Sequence, residues 1–127
     1  MSFQNQFTKT TTDANLMETV HHGSAEYPFR YYYENIALFD FKCIDWHWHS
    51  ELEFIYIESG NVVFDIGTVH FELNEGNGIM INSKILHRLQ SSSDAIIPNF
   101  LFQPSFIAPQ DSLIYKKYIN PVISSSL

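Results

Sequence analysis

Cysteine is nearly missing from this chain. A single thiol, Cys43, excludes an intrachain disulfide and fits a reducing compartment, so a cytoplasmic location is expected. Basic residues are also scarce: seven Lys and Arg face fourteen Asp and Glu, for a net charge of -7, and no basic cluster exceeds the pair Lys116 and Lys117. Nucleic-acid binding needs a basic face that displaces phosphate counterions, so these residues are not expected to bind DNA directly. No run of about eighteen apolar residues occurs. The first residues, MSFQNQFTKTTTDANL, lack the basic and apolar blocks of a signal peptide. Neither membrane insertion nor secretion is expected.

What the chain does have is aromatic and β-favouring residues. Eleven Phe and seven Tyr contribute to 16% aromatic content in 127 residues, a length that suits one domain with one core. Residues 1–20 are rich in Gln, Asn and Thr and imply a flexible N-terminal segment, although Phe3, Phe7 and Leu16 would let it add a strand to a neighbour. Residues 21–110 read as a β-barrel or jelly roll. Eight short apolar segments separated by turn residues carry that reading: 29–34, 42–48, 53–57, 62–66, 69–73, 79–81, 87–90 and 97–102. Ser59-Gly60-Asn61 is a hairpin signal. Residues 111–127 form a short helix and tail, capped by Asp111 or Ser112 and stopped by Pro121, with Ile114, Tyr118 and Ile119 on the packed side.

The densest chemical signal is Trp46-His47-Trp48-His49-Ser50-Glu51-Leu52-Glu53. Side chains of a strand alternate, so His47 and His49 share one face, and Glu53 joins them if the strand runs on without a bulge. The other face holds Trp46, Trp48, Leu52, Phe54 and Tyr56 and asks for cover from outside. A returning strand would bring His87 alongside the first three.

The spacing His47-x-His49, three residues, Glu53, six residues, Gly60 resembles the first cupin motif, with Phe41 at its leading Gly position. The second cupin motif is matched at Gly76 and His87, with Asn82, Lys84 and Ser91 at its usual Pro, Gly and Asn positions. Blocks from His22 onward, among them Tyr27-Pro28-Phe29, Gly76-Asn77-Gly78-Ile79-Met80-Ile81-Asn82-Ser83, Phe102-Gln103-Pro104-Ser105-Phe106 and Ile114-Tyr115-Lys116-Lys117-Tyr118-Ile119-Asn120-Pro121, resemble the sensor half of AraC-type transcription regulators. That resemblance implies an all-β, cupin-type double-stranded β-helix with a short C-terminal helix. It further implies a small-molecule effector, a sugar being one candidate, a homodimer, and DNA binding through a separate C-terminal region.

His47, His49, Glu53 and His87 together make a three-nitrogen, one-oxygen set suited to zinc, nickel, iron, manganese or copper. The plainer alternative is a wet cavity whose polar groups bond one another without metal. Arg30 is a candidate partner for an anionic effector or a surface ion pair, and Tyr32 lies in a tyrosine run from which one side chain would reach a ligand. Glu51, Glu58, His21, His22 and His70 read as solvated surface. Trp46 and Trp48 read as packing or dimer-contact residues. Two other functions remain open at this point: a metal-dependent cupin enzyme of the dioxygenase or isomerase type, and a dimerisation module without a ligand.

Overall fold

The structure is a computed structural model and describes residues 10–125. Eight strands, β1 (Phe29–Asn35), β2 (Cys43–His47), β3 (Leu52–Tyr56), β4 (Asn61–Ile66), β5 (Val69–Asn74), β6 (Gly78–Ile81), β7 (His87–Gln90) and β8 (Ile96–Phe102), follow the apolar segments of the sequence. They form two antiparallel four-stranded sheets, ordered β1-β8-β3-β6 and β2-β7-β4-β5. Only β4 and β5 are joined as a tight hairpin, Ile66 pairing with Val69 across Gly67 and Thr68.

The hairpin expected at Ser59-Gly60-Asn61 is not formed. Strand β3 pairs with β6 and β8, whereas β4 pairs with β5 and β7, so this turn passes the chain from one sheet to the other. Gly60 is required there: its φ is +84°, and an added Cβ would lie 2.5 Å from the Asp94 carbonyl oxygen.

Inward-facing residues alternate along each strand, as the pleat dictates. Ile55, Val62, Phe64, Ile81, Leu89 and Ile97, with Ile36, Ile57 and Ala95, make one buried cluster. Two residues further along the same inward rows, Ile55 gives way to Glu53, Leu89 to His87 and Ile97 to Asn99, all three of them buried. One part of the interior is therefore apolar and the adjoining part polar.

The outer face of β3 is not covered as expected. Phe54 and Tyr56 are 46% and 47% exposed, while Leu52 alone of that row is buried. The stretch from Trp46 to Tyr56 is two strands in different sheets, so its alternating face does not continue across the break.

The C-terminal helix also departs from expectation. A π-helical turn, Tyr115–Ile119, leads into α1 (Asn120–Ile123), so Pro121 sits inside the helix instead of ending it. The wider turn, closed by the Asn120 N–H on the Tyr115 carbonyl, relieves the crowding a proline ring imposes on the preceding turn. Ser112 does cap it, its Oγ accepting from the Tyr115 N–H at 3.2 Å. Tyr115 and Ile119 supply the buried side, together with Ala108, whereas Ile114 and Tyr118 are exposed.

Candidate metal and ligand site

The four residues expected to converge do so, by a different route from a flat strand face. Strand β2 carries one extra residue between Ile44, opposite Leu89, and His47, opposite His87. This bulge turns both Ile44 and His47 inward although they differ by three positions. The chain then leaves the second sheet, and His49 lies in the connection to β3. Glu53 projects from β3 in the first sheet, and His87 from β7 in the second. All four side chains are buried, and one ligand atom from each lies within 4.8 Å of the others.

Backbone hydrogen bonds set the ring orientations. The Nδ1–H groups of His47, His49 and His87 are placed to donate to the carbonyls of Asp45 (2.7 Å), Glu51 (3.1 Å) and Ile85 (2.8 Å). A ring so held presents its Nε2 lone pair inward once Nε2 is deprotonated, the tautomer a metal ligand needs. The Nε2 atoms of His49 and His87 then face the Glu53 Oε1 at 3.2 and 3.3 Å. Two acceptors at that distance repel unless a proton or a cation lies between them. The Nε2 of His87, wholly buried, has no hydrogen-bond partner among the described residues. A divalent ion would satisfy all four groups, so the donor set fits a transition metal.

Electrostatics sort the histidines. Burial, reinforced by the neighbouring His87, lowers the His47 pKa to about 4 and keeps that ring neutral. Burial opposes the charged form of His49 as well, but the Glu53 carboxylate outweighs it and raises His49 to about 9. For Glu53, burial favours the neutral acid, yet His49 and His87 hold the carboxyl well below its usual range.

The family model for the AraC-like ligand binding domain matches residues 38–108, which include all four of these side chains. The chain belongs to that family. This AraC-like domain is 32% identical over 116 residues to YdeC of Bacillus subtilis (strain 168), described as an uncharacterized HTH-type transcriptional regulator. The match covers 90% of this chain and 39% of that relative, so the chain spans well under half of the regulator's length. Among solved structures it resembles a cupin-2 domain protein of Shewanella frigidimarina, with TM-score 0.52, 13% identity, and coverage of 60% of this chain and 72% of that one. A protein of Photorhabdus luminescens matches with TM-score 0.50, 18% identity and coverage of 76% and 89%. The fold is that of the cupins.

Beside the four-residue set, the AraC-like domain encloses a cavity of about 60 Å³. Tyr32 lines it, as expected. Arg30 shares the Tyr32 side of β1 but is exposed and not part of the lining, its guanidinium 5.4 Å from the Tyr32 ring centroid. Two residues expected to be solvated are buried. His22 receives the Tyr32 hydroxyl at 2.7 Å on one ring nitrogen and faces the Glu18 carboxylate with the other. Glu51 is tucked beneath His49 where the chain turns between the sheets, its Oε1 4.0 Å from Nδ1. Glu58, His21 and His70 are exposed as expected, and His70 pairs with Asp65.

Met1–Lys9, with Phe3 and Phe7, lie outside the described residues. Within residues 10–20, Met17 bridges Trp48 in parallel fashion, the Trp48 indole N–H donates to the Asn15 carbonyl at 3.0 Å, and Thr10, Thr11, Glu18 and Val20 line the cavity. Sequence reasoning gave that stretch no place in the site. It also passed over Glu34 and Asn99, although a usable signal existed for both. Glu34 follows Tyr32 by two positions on β1, and Asn99 is the polar member of the apolar row Ile97, Asn99, Leu101.

Proposed function

We propose that this chain is the effector-sensing and dimerisation domain of an AraC-type transcription regulator. The observation that carries the reading is that the family match encloses both the His47, His49, Glu53 and His87 cluster and most of the cavity beside it. A small molecule, a sugar being one candidate, enters beside those four residues and Tyr32, with Arg30 outside the lining, and biases an attached DNA-binding region. In this reading residues 10–20 border the cavity, residues 21–110 are the barrel, and residues 111–127 lead into the DNA-binding region. The four residues hold one divalent ion of zinc, nickel, iron or manganese. When bound, the ion supplies a Lewis-acid contact for a ligand oxygen or nitrogen.

Pairing with a second copy is supported by the uncovered aromatic face of the first sheet, where Tyr31, Phe54, Tyr56, Met80 and Phe100 are exposed. The regulator relative supports a cytoplasmic setting and a role other than catalysis. No helix among the described residues is long and apolar enough to cross a membrane.

A thermal-shift screen with sugars and metals tests the sensor. The expected result is a stabilising small ligand, and a screen in which none is found sinks the reading. The second reading, a metal-dependent cupin enzyme of dioxygenase or isomerase type, is favoured by the donor set itself. Metal analysis of untagged protein separates the two: stoichiometric transition metal with turnover supports the enzyme, and an empty site removes it.

A further inference from the structure

The cavity sets three carboxylates of its lining against imidazoles alone. Glu18, Glu34 and Glu53 line it, and among the described residues no Lys or Arg does. Two of these carboxylates have partners of the opposite kind. Glu18 is bonded to His22, and Glu53 faces His49 and His87. Glu34 has only a neutral one, the Asn99 side-chain amide, which donates to Oε1 at 2.8 Å; no described residue donates to its Oε2. Burial raises its pKa to about 7, the mark of a carboxylate whose charge lacks compensation. The nearest guanidinium, on Arg30, is exposed and outside the lining.

An acid buried beside other acids is unfavourable unless a cation reaches it. No Lys or Arg of the lining reaches Glu34, the nearby His22 imidazole is already engaged by Glu18 and Tyr32, and Glu34 borders the cavity. Tyr32 and Phe39, both buried, line the same space and present aromatic surface of the kind that attracts a cation. An anionic head group here would meet up to three carboxylates in surroundings that screen charge poorly. A volume of about 60 Å³ admits a head group of a few heavy atoms.

We infer that the effector carries a positively charged amine, which docks against the free oxygen of Glu34 beside the histidine cluster. This rests on the sensor reading and narrows it: among polar effectors, an amine or amino sugar is selected, and simple carboxylates and phosphates are rejected. The ammonium takes the place of the missing cation, and the Asn99 amide holds the Glu34 carboxylate in position for it.

The test uses the full chain at pH 8, where Glu34 is mostly ionised. Three probes matched in length and differing in head group are titrated at constant ionic strength, with and without zinc: n-propylammonium, propan-1-ol and propionate. The expected result is that n-propylammonium alone raises the melting temperature, and that Glu34→Gln, checked for folding by circular dichroism, lowers its apparent affinity at least tenfold. Propan-1-ol or propionate matching the amine, Glu34→Gln binding the amine unchanged, or no response to the amine would each overturn the inference. A sugar that still stabilises the chain in that event leaves the sensor reading standing. Failure of all three probes and of the sugar and metal screen ends both.

Discussion

Glu34 shows how one buried carboxyl makes stability depend on pH. Its pKa rises from 4.5 to about 7 on folding, chiefly through burial. An acid with a raised folded pKa binds more protons in the folded state than in the unfolded one between those two values. Folding stability therefore falls as pH climbs from about 4.5 through 7, and is flat on either side. Glu34→Gln removes this dependence. The variant is expected to gain on the parent by about 2 kcal/mol by pH 8, allowing for partial exposure of the carboxyl, and by nothing at pH 4. Urea melts across that range check it. A second effect at this scale concerns the departures from the cupin motifs. Phe41 and Lys84 stand at glycine positions of the motifs, and both adopt positive φ, 61° and 63°. The backbone keeps the shape that glycine would take freely, at a conformational cost to a residue with a Cβ. Phe41 is 99% exposed, so its side chain loses little by removal. Phe41→Gly and Lys84→Gly are each expected to stabilise by about 0.5–1 kcal/mol, readable as a rise in melting temperature.

Between elements, the decisive contacts join the C-terminal helix to the loop that carries His49. The Asn82 amide, 4% exposed, donates to the Val122 carbonyl at 2.7 Å at the end of α1. The next two residues hold the His49 loop: Ser83 Oγ donates to the Ser50 carbonyl at 2.6 Å, and the Lys84 N–H to the His49 carbonyl at 2.8 Å. A short helix with few buried side chains depends on such a tether. Asn82→Ala should cost about 1–2 kcal/mol and free the helix before the barrel opens. Limited proteolysis is expected to cut within residues 113–125 faster than in the parent, with the strands still protected. Equal cleavage rates would show that Tyr115 and Ile119 hold the helix without the amide.

For the whole molecule, the histidine cluster joins the two sheets. His47 and His87 come from one sheet and Glu53 from the other, with His49 on the connection between them. An ion held by all four binds the folded state and not the unfolded chain. Zinc at a hundredfold excess over its dissociation constant is therefore expected to add about 2.7 kcal/mol of stability. Replacing both His47 and His49 with Ala should abolish that increment, as read by thermal melts with and without zinc. If the double variant retains it, the ion binds elsewhere.

Periodicity and turn residues were enough to locate all eight strands within a residue or two, because each buried row needs alternating apolar side chains between breaks. The spacing of His47, His49, Glu53 and His87 likewise announced a convergent set of donor side chains. Composition fixed the acidic, single-thiol character of the chain. The rest was decided between segments distant in sequence. A bulge of one residue turned His47 inward, and a glycine at positive φ sent β4 to the opposite sheet in place of a hairpin. Glu34 and the stretch from Thr10 to Val20 joined the interior through partners tens of residues away, whereas His22 and Glu51 were turned inward beside nearer partners, Tyr32 and His49. Local pattern reports which side chains alternate together. Which polar groups share a cavity, and which of their charges lack a counterpart there, depends on how the two sheets close over one another.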